Sequence, residues 1–301
     1  MADHFAALTH TPGPAVSYRL AIVGLLGMAP AVMLLATLFG SVPIGMHDWT
    51  VALVGAGDPI FQEIVWTHRL PRAITAFVTG GLLALAGVLL QTLLRNPLAD
   101  PYVLGVSGGV SVGGLLAMML GLSPFFIGLF GLLGAGAVVV LVTGFAARAS
   151  GWDIYRVLLA GVGIASACGA FVALILTISP AGQVQGMLFW LMGDLSSSRE
   201  PGWPAAILAA LTLIAFGLRT NLDALTLGTM KAGLLGVSVG WTQSIALLCA
   251  TVATVAAVLE AGAIGFVGIA VPHVFRLIGW HAHRSLVPLS VLGGGILLTV
   301  A

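Results

Sequence analysis

Long uncharged runs separated by short polar breaks set the character of this chain. The clearest run, Ala73 to Leu94, is 22 residues without a charge, roughly 33 Å as a helix at about 1.5 Å per residue and enough to cross a bilayer core. Its ends differ from its middle. Arg69 and Arg72 stand before it, and Arg95-Asn96-Pro97-Leu98-Ala99-Asp100-Pro101 follows, with two prolines bracketing a polar turn that stops a helix. The same pattern predicts spans near 18–40, 71–94, 103–121, 124–147, 156–178, 203–218, 241–260 and 286–301, with a shorter apolar segment near 263–278.

The segments between the runs carry patterns of their own. Residues 41–70 and 179–202 read as outer loops, the second with an amphipathic stretch from Met187 to Met192 that suits an interfacial helix anchored by Trp190. Residues 219–241 are too polar to span. Leu225, Leu227, Leu234 and Leu235 with Gly228 and Gly236 predict two short helices joined at a turn there. A weak echo links AGVLLQTLLRNPLADP, from Ala86, with AGAIGFVGIAVPHVFR, from Ala261; it is either an internal repeat or a coincidence of Gly/Ala-rich sequence.

Composition extends this reading to the whole chain: 59% of the 301 residues are hydrophobic, 7% are charged and the mean hydropathy is +1.12, where soluble domains carry about 25% charge. The class is an all-α polytopic membrane protein of one membrane domain, 18–301, preceded by a polar tail, 1–17, that lacks the basic start and cleavage site of a signal peptide. With the amino terminus in the cytoplasm, Arg19, Arg95, Arg148, Arg156, Arg219, Lys231, Arg276 and Arg284 fall inside. Only Arg69, Arg72 and Arg199 fall outside, so the positive-inside bias places the tail in the cytoplasm. A net charge of +1 excludes nucleic acid as a natural partner, and Cys168 and Cys249, both inside apolar runs, indicate neither a disulfide nor a metal site.

Candidate chemistry is sparse. The chain has no GxxxxGK[ST] loop, no HExxH and no CxxC, so nucleotide hydrolysis has no seat on it and any ATP would be used by another subunit. A proton-coupled carrier would need ionisable residues deep in its spans; Glu260 lies at a span end and His273 follows Pro272 at an expected helix break. Gly105-Val106-Ser107-Gly108 resembles an intramembrane protease motif with His273 as a conceivable base, but Ser107 reads better as a small packing residue. His281-x-His283 reads as a solvated connector rather than a metal pair, and His47 and His68 as interfacial residues. Arg69 and Arg72, one helical turn apart, project on one face at the outer mouth, suited either to headgroup snorkelling or to carboxylates of a soluble partner.

Five ordered motifs add a resemblance. Arg69-Leu70-Pro71-Arg72, Arg95 to Pro101, Leu104-Gly105-Val106-Ser107-Gly108-Gly109, Phe189-Trp190-Leu191-Met192-Gly193 and Gly265 to His273 with Arg276 are similar to the FecCD family, from about residue 20 to the end. These are permease subunits of type II ATP-binding-cassette importers for iron-siderophore complexes, haem and cobalamin. The resemblance implies a ten-span fold in the bacterial inner membrane, a homodimer with the pathway at its axis, two ATPase subunits below and a periplasmic binding protein above. It implies a transport permease rather than an enzyme, without cofactor or metal of its own, ATP and Mg being held by the ATPase. Arg69 and Arg72 match the binding-protein docking arginines. Asn96 and Leu98 match a cytoplasmic gate, with Ile154 and Tyr155 at a second gate position, and 219–241 matches the coupling loop, with Leu227, Gly228, Ala232, Leu235 and Gly236 carrying the pattern.

Three departures stand out. Thr229 and Met230 replace acidic residues that often follow the Leu-Gly of the coupling loop, and Ile154 and Tyr155 replace the small hydroxyl residues of cobalamin-type members. The chain also stops at Val300-Ala301 inside an apolar run, so a last span is expected to be missing and the domain C-terminally incomplete.

Overall fold

The computed structural model describes residues 18–148, 151–152, 154–193, 195 and 201–301. The first span is α1 (Tyr18–Leu38). The segment 41–70, expected as a loop, is mostly helical: α2 (Met46–Leu53), α3 (Pro59–Glu63) and a π-helical turn (Ile64–Arg69) lead directly into α4 (Leu70–Leu93). Asp58 starts this run by accepting a hydrogen bond from Ile60 N at 2.9 Å, with Pro59 in the first helical turn where its missing N–H costs nothing. Ile44, Ala52 and Val65 bury together and hold the short helices, a tertiary contact that hydropathy along the chain does not register.

After α4 the chain breaks and continues through a 3₁₀ turn (Pro101–Leu104), α5 (Val106–Met119), α6 (Pro124–Ala146), a two-residue antiparallel strand pair (Ala147–Arg148 with Gly151–Trp152), α7 (Ile154–Ile178) and α8 (Ala181–Met192). Then α9 (Gly202–Gly217) bends by 62° into α10 (Arg219–Thr226), followed by α11 (Thr229–Leu234), α12 (Val239–Ala261), α13 (Val267–Leu277) and α14 (His283–Val300). Among the described residues six helices are long and apolar enough to cross a membrane, a seventh is reached only when the bent α9–α10 pair is counted as one span, and α5 and α13 are shorter apolar helices. Each apolar run of the sequence is thereby matched by a helix.

Burial sorts these helices by role. The apolar window of the α4 span is 89% buried, against 11% for α1, 22% for α6 and 17% for α7. So α4 is the hub, packed on α12, α13 and α14, while the outer helices keep apolar surface suited to lipid or to another membrane-embedded chain. Backbones meet at glycine: a Cβ on Gly80 would lie 2.1 Å from Gly294 O, and one on Gly87 only 1.9 Å from Gly268 O, the close approach by which small residues join membrane helices. Trp190, expected as an interfacial anchor, instead packs over Gly114 and is half-buried.

Pro272 corrects a second expectation, because α13 runs through it without a break. Proline has no N–H, so Gly268 O loses its usual helical donor. Gln91 Nε2 on α4 donates to that carbonyl at 3.1 Å and reaches Ile269 O at 3.4 Å, while Gln91 Oε1 accepts from Arg276 Nη1. A neighbouring helix thus satisfies the backbone group that proline exposes. The internal echo does not survive: 86–101 is helix followed by a break, and 261–276 is a break followed by helix.

Candidate functional site

Two ends of the bundle carry the site candidates. At the start of α4 the two arginines separate, although they were expected on one face. Arg69, at the end of the π turn, is buried and donates from Nη1 to Thr37 O and Leu38 O at 2.9 Å each, and from Nη2 to Val42 O. It therefore occupies the carbonyls that the C-terminus of α1 leaves without helical donors. Trp49 Nε1 reinforces the junction by donating to Thr37 Oγ1 at 2.9 Å. Arg72 is exposed, on the wall of a cleft of about 860 Å³ between α1, α4 and α14. One cation holds the fold together; the other faces outward.

The far end of α4 carries Asn96 and Leu98. Asn96 Oδ1 accepts from Leu98 N at 3.0 Å, a local turn that leaves Leu98 61% exposed. Asp100 Oδ1 accepts from Tyr102 N at 2.8 Å, and the Tyr102 hydroxyl donates to Ile264 O at 2.8 Å. Asp100 and Tyr102 thus anchor the chain as it turns back into the bundle, roles that no local pattern announced. Close approaches of Gly105 to Ala165 and of Gly108 to Cys168 align α5 with α7. Tyr155, ten residues before Ala165 at the start of α7, is 84% exposed. Ile154 begins α7; its side chain lies outside the described residues.

The 219–241 segment folds as its pattern predicts, into α10 and α11 joined at Gly228. That residue has φ +103°, a conformation side chains disfavour, and a Cβ there would also sit 3.3 Å from Arg95 Nη1. The joint therefore lies against the break that follows α4. Leu222, Ala224 and Leu225 bury one face of α10. Leu227 (56% exposed), Met230 (79%), Leu234 (82%) and Leu235 (65%) instead form an unburied apolar row, with Gly236 exposed at its end. Ala232 is fully buried and packs inward rather than joining that row.

His283 overturns the reading of a solvated His-x-His connector. His281 is exposed, but His283 is fully buried at the first residue of α14, with Nδ1 2.6 Å from Asp223 Oδ1 and Nε2 2.7 Å from Thr92 Oγ1. The remaining candidates recede. Ser107 is buried at the start of α5, and the buried His273 Nδ1 has no hydrogen-bond partner among the described residues, Ser107 included. His47 and His68 are exposed, and Cys168 and Cys249 are buried free thiols.

The described helices form a membrane bundle around a buried hub, with a chain break at the end of α4 and a short polar helix pair against it, and the comparisons place this architecture among transport permeases. The FecCD transport family model matches residues 28–301, and the chain belongs to that family. Two curated relatives are 36% identical. One is the uncharacterized ABC transporter permease protein YvrB of Bacillus subtilis, over 268 residues (85% of this chain, 74% of that protein). The other is the cobalamin import system permease protein BtuC of Halobacterium salinarum, over 289 residues (87% and 77%). A solved inward-facing ABC transporter assigned to the metal-chelate type superposes with a TM-score of 0.81 at 26% identity, covering 94% of this chain and 89% of that one. The fold is that of a type II ABC importer permease.

Proposed function

We propose that this chain is the membrane permease subunit of an importer that carries a metal chelate (an iron-siderophore, haem or cobalamin) from a periplasmic binding protein into the cytoplasm. It acts as a homodimer in the bacterial inner membrane with its amino terminus inside. The observation that carries the reading is the exposed apolar row Leu227, Met230, Leu234 and Leu235 on the α10–α11 pair, which follows a 62° bend between α9 and α10 and lies against the break after α4 through Arg95 and Gly228. Apolar side chains beyond the end of a span face neither core nor bilayer, and such patches mark protein interfaces. The partner is a cytoplasmic ATPase subunit, which alone holds ATP and Mg.

In this mechanism ATP binding and hydrolysis move α10 and α11, and the turn bearing Asn96 and Leu98, with Ile154 and Tyr155 of α7, opens or closes the inner gate. At the outer end the exposed Arg72 receives a carboxylate of the binding protein, and Arg69 keeps the α1–α4 junction that presents it. No bond is made or broken on this chain. The cobalamin name of the Halobacterium relative supports a corrinoid cargo, whereas the bulky Ile154 and Tyr155 at the second gate position favour a different chelate. Co-purification tests the reading: tagged chain should retain an ATPase subunit encoded beside it, and Leu234→Asp with Leu235→Asp should release that subunit while the permease stays monodisperse. Retention by the charged variant would refute the interface.

A further inference from the structure

Helix α10 is joined to the bundle by more than packing. Asp223 Oδ1 accepts from the backbone N of His283 at 2.9 Å as well as lying 2.6 Å from its Nδ1. The opposite ring nitrogen stands 2.7 Å from Thr92 Oγ1, and the Thr92 hydroxyl is 2.8 Å from Val88 O, to which it can donate within the last turns of α4. Three elements distant in sequence are thereby linked through one imidazole. The ring is fully buried with both nitrogens engaged, which leaves it one orientation. The Asp223 side chain is 40% exposed whereas Thr92 is buried, so water reaches the α10 end of the chain of contacts and not the α4 end.

Position gives this linkage a direction. Asp223 lies four residues before Leu227, where the exposed apolar row begins, and Thr92 lies four residues before Asn96. Buried polar networks are costly to open. A displacement of α10 must therefore either carry the end of α4 along or break hydrogen bonds that water cannot replace at Thr92. Coupling between sites is physical only where an element answers to both, and here one side chain touches both helices.

We propose that Asp223, His283 and Thr92 are positioning residues that carry movement of α10 to the last turn of α4 and so to the Asn96–Leu98 gate. The inference rests on the importer reading above, and its test separates the two. Leu98→Cys is introduced with Cys168→Ala and Cys249→Ala, the complex with its ATPase is reconstituted in liposomes, and the rate of maleimide labelling is compared with and without ATP plus vanadate. In that parent the rate should change several-fold with nucleotide. Thr92→Val and His283→Ala should reduce the change at least threefold while ATP hydrolysis and ATPase retention stay within twofold of the parent. Thr92→Ser should restore it, because the hydroxyl and not the methyl makes the link. Persistence of the full nucleotide effect in Thr92→Val, or failure of Thr92→Ser to restore it, would overturn the linkage even if His283→Ala does not fold. Absence of any effect in the parent itself would overturn the importer reading and the linkage together.

Discussion

Replacing Gln91 by leucine probes how the hub helix tolerates a proline in its neighbour. The leucine keeps the volume but removes the donor to Gly268 O and the acceptor for Arg276 Nη1. Interhelical hydrogen bonds in membranes are worth about 0.6–1.7 kcal/mol, and bonds to a charged group lie at the upper end, so Gln91→Leu should cost about 2 kcal/mol. The same substitution in a Pro272→Ala background should cost about 1 kcal/mol less, because the alanine N–H then supplies the helical bond to Gly268 O. Arg276 loses its partner in both backgrounds, so the difference isolates the carbonyl. Equilibrium unfolding in mixed micelles, followed by tryptophan fluorescence, measures all four proteins. An equal cost of Gln91→Leu in the two backgrounds would refute the argument that Gln91 stands in for the missing proline donor.

Other substitutions test separate parts of the structure. Gly87→Ala and Gly80→Ala place a Cβ against the backbones of α13 and α14 and should each lower stability by about 1–3 kcal/mol, while Gly144→Ala, with nothing within 4 Å, should be neutral in the same unfolding assay. Arg69→Met removes the donors to two carbonyls at the α1 end and to Val42 O beyond it, and should destabilise by about 1–3 kcal/mol. Arg72→Glu should leave the unfolding midpoint unchanged and weaken binding-protein docking at least tenfold by surface plasmon resonance; unchanged docking would remove Arg72 from that interface. Ala232→Leu, at a fully buried position, should destabilise the fold, whereas Met230→Ala on the exposed row should weaken ATPase retention alone.

The spans were legible because lipid imposes one simple demand, a run of about 20 apolar residues, and the α10–α11 joint because leucine spacing and a glycine spelled it out. What stayed hidden depended on partners far along the chain. Arg69 reads like Arg72 until the end of α1 and the turn after it present carbonyls 27 to 32 residues away. His283 reads as a solvated histidine until the bend after α9 delivers Asp223 across 60 residues. Pro272 reads as a helix stop unless Gln91, 177 residues from Gly268, is known to satisfy the orphaned carbonyl. The helices in 41–70 were missed because their stability comes from the small cluster around Val65 and not from hydropathy. In each case a single-sequence pattern recorded the element's own demand, and the answer came from tertiary structure.

Energy source is the property that most directly separates an ABC importer permease from a carrier driven by a proton gradient. Proteoliposomes holding this chain with its ATPase and binding protein, supplied in turn with labelled haem, ferric siderophore and cobalamin, should accumulate one of these chelates in a vanadate-sensitive manner that an uncoupler leaves intact. Accumulation that survives vanadate and collapses with uncoupler would contradict the account.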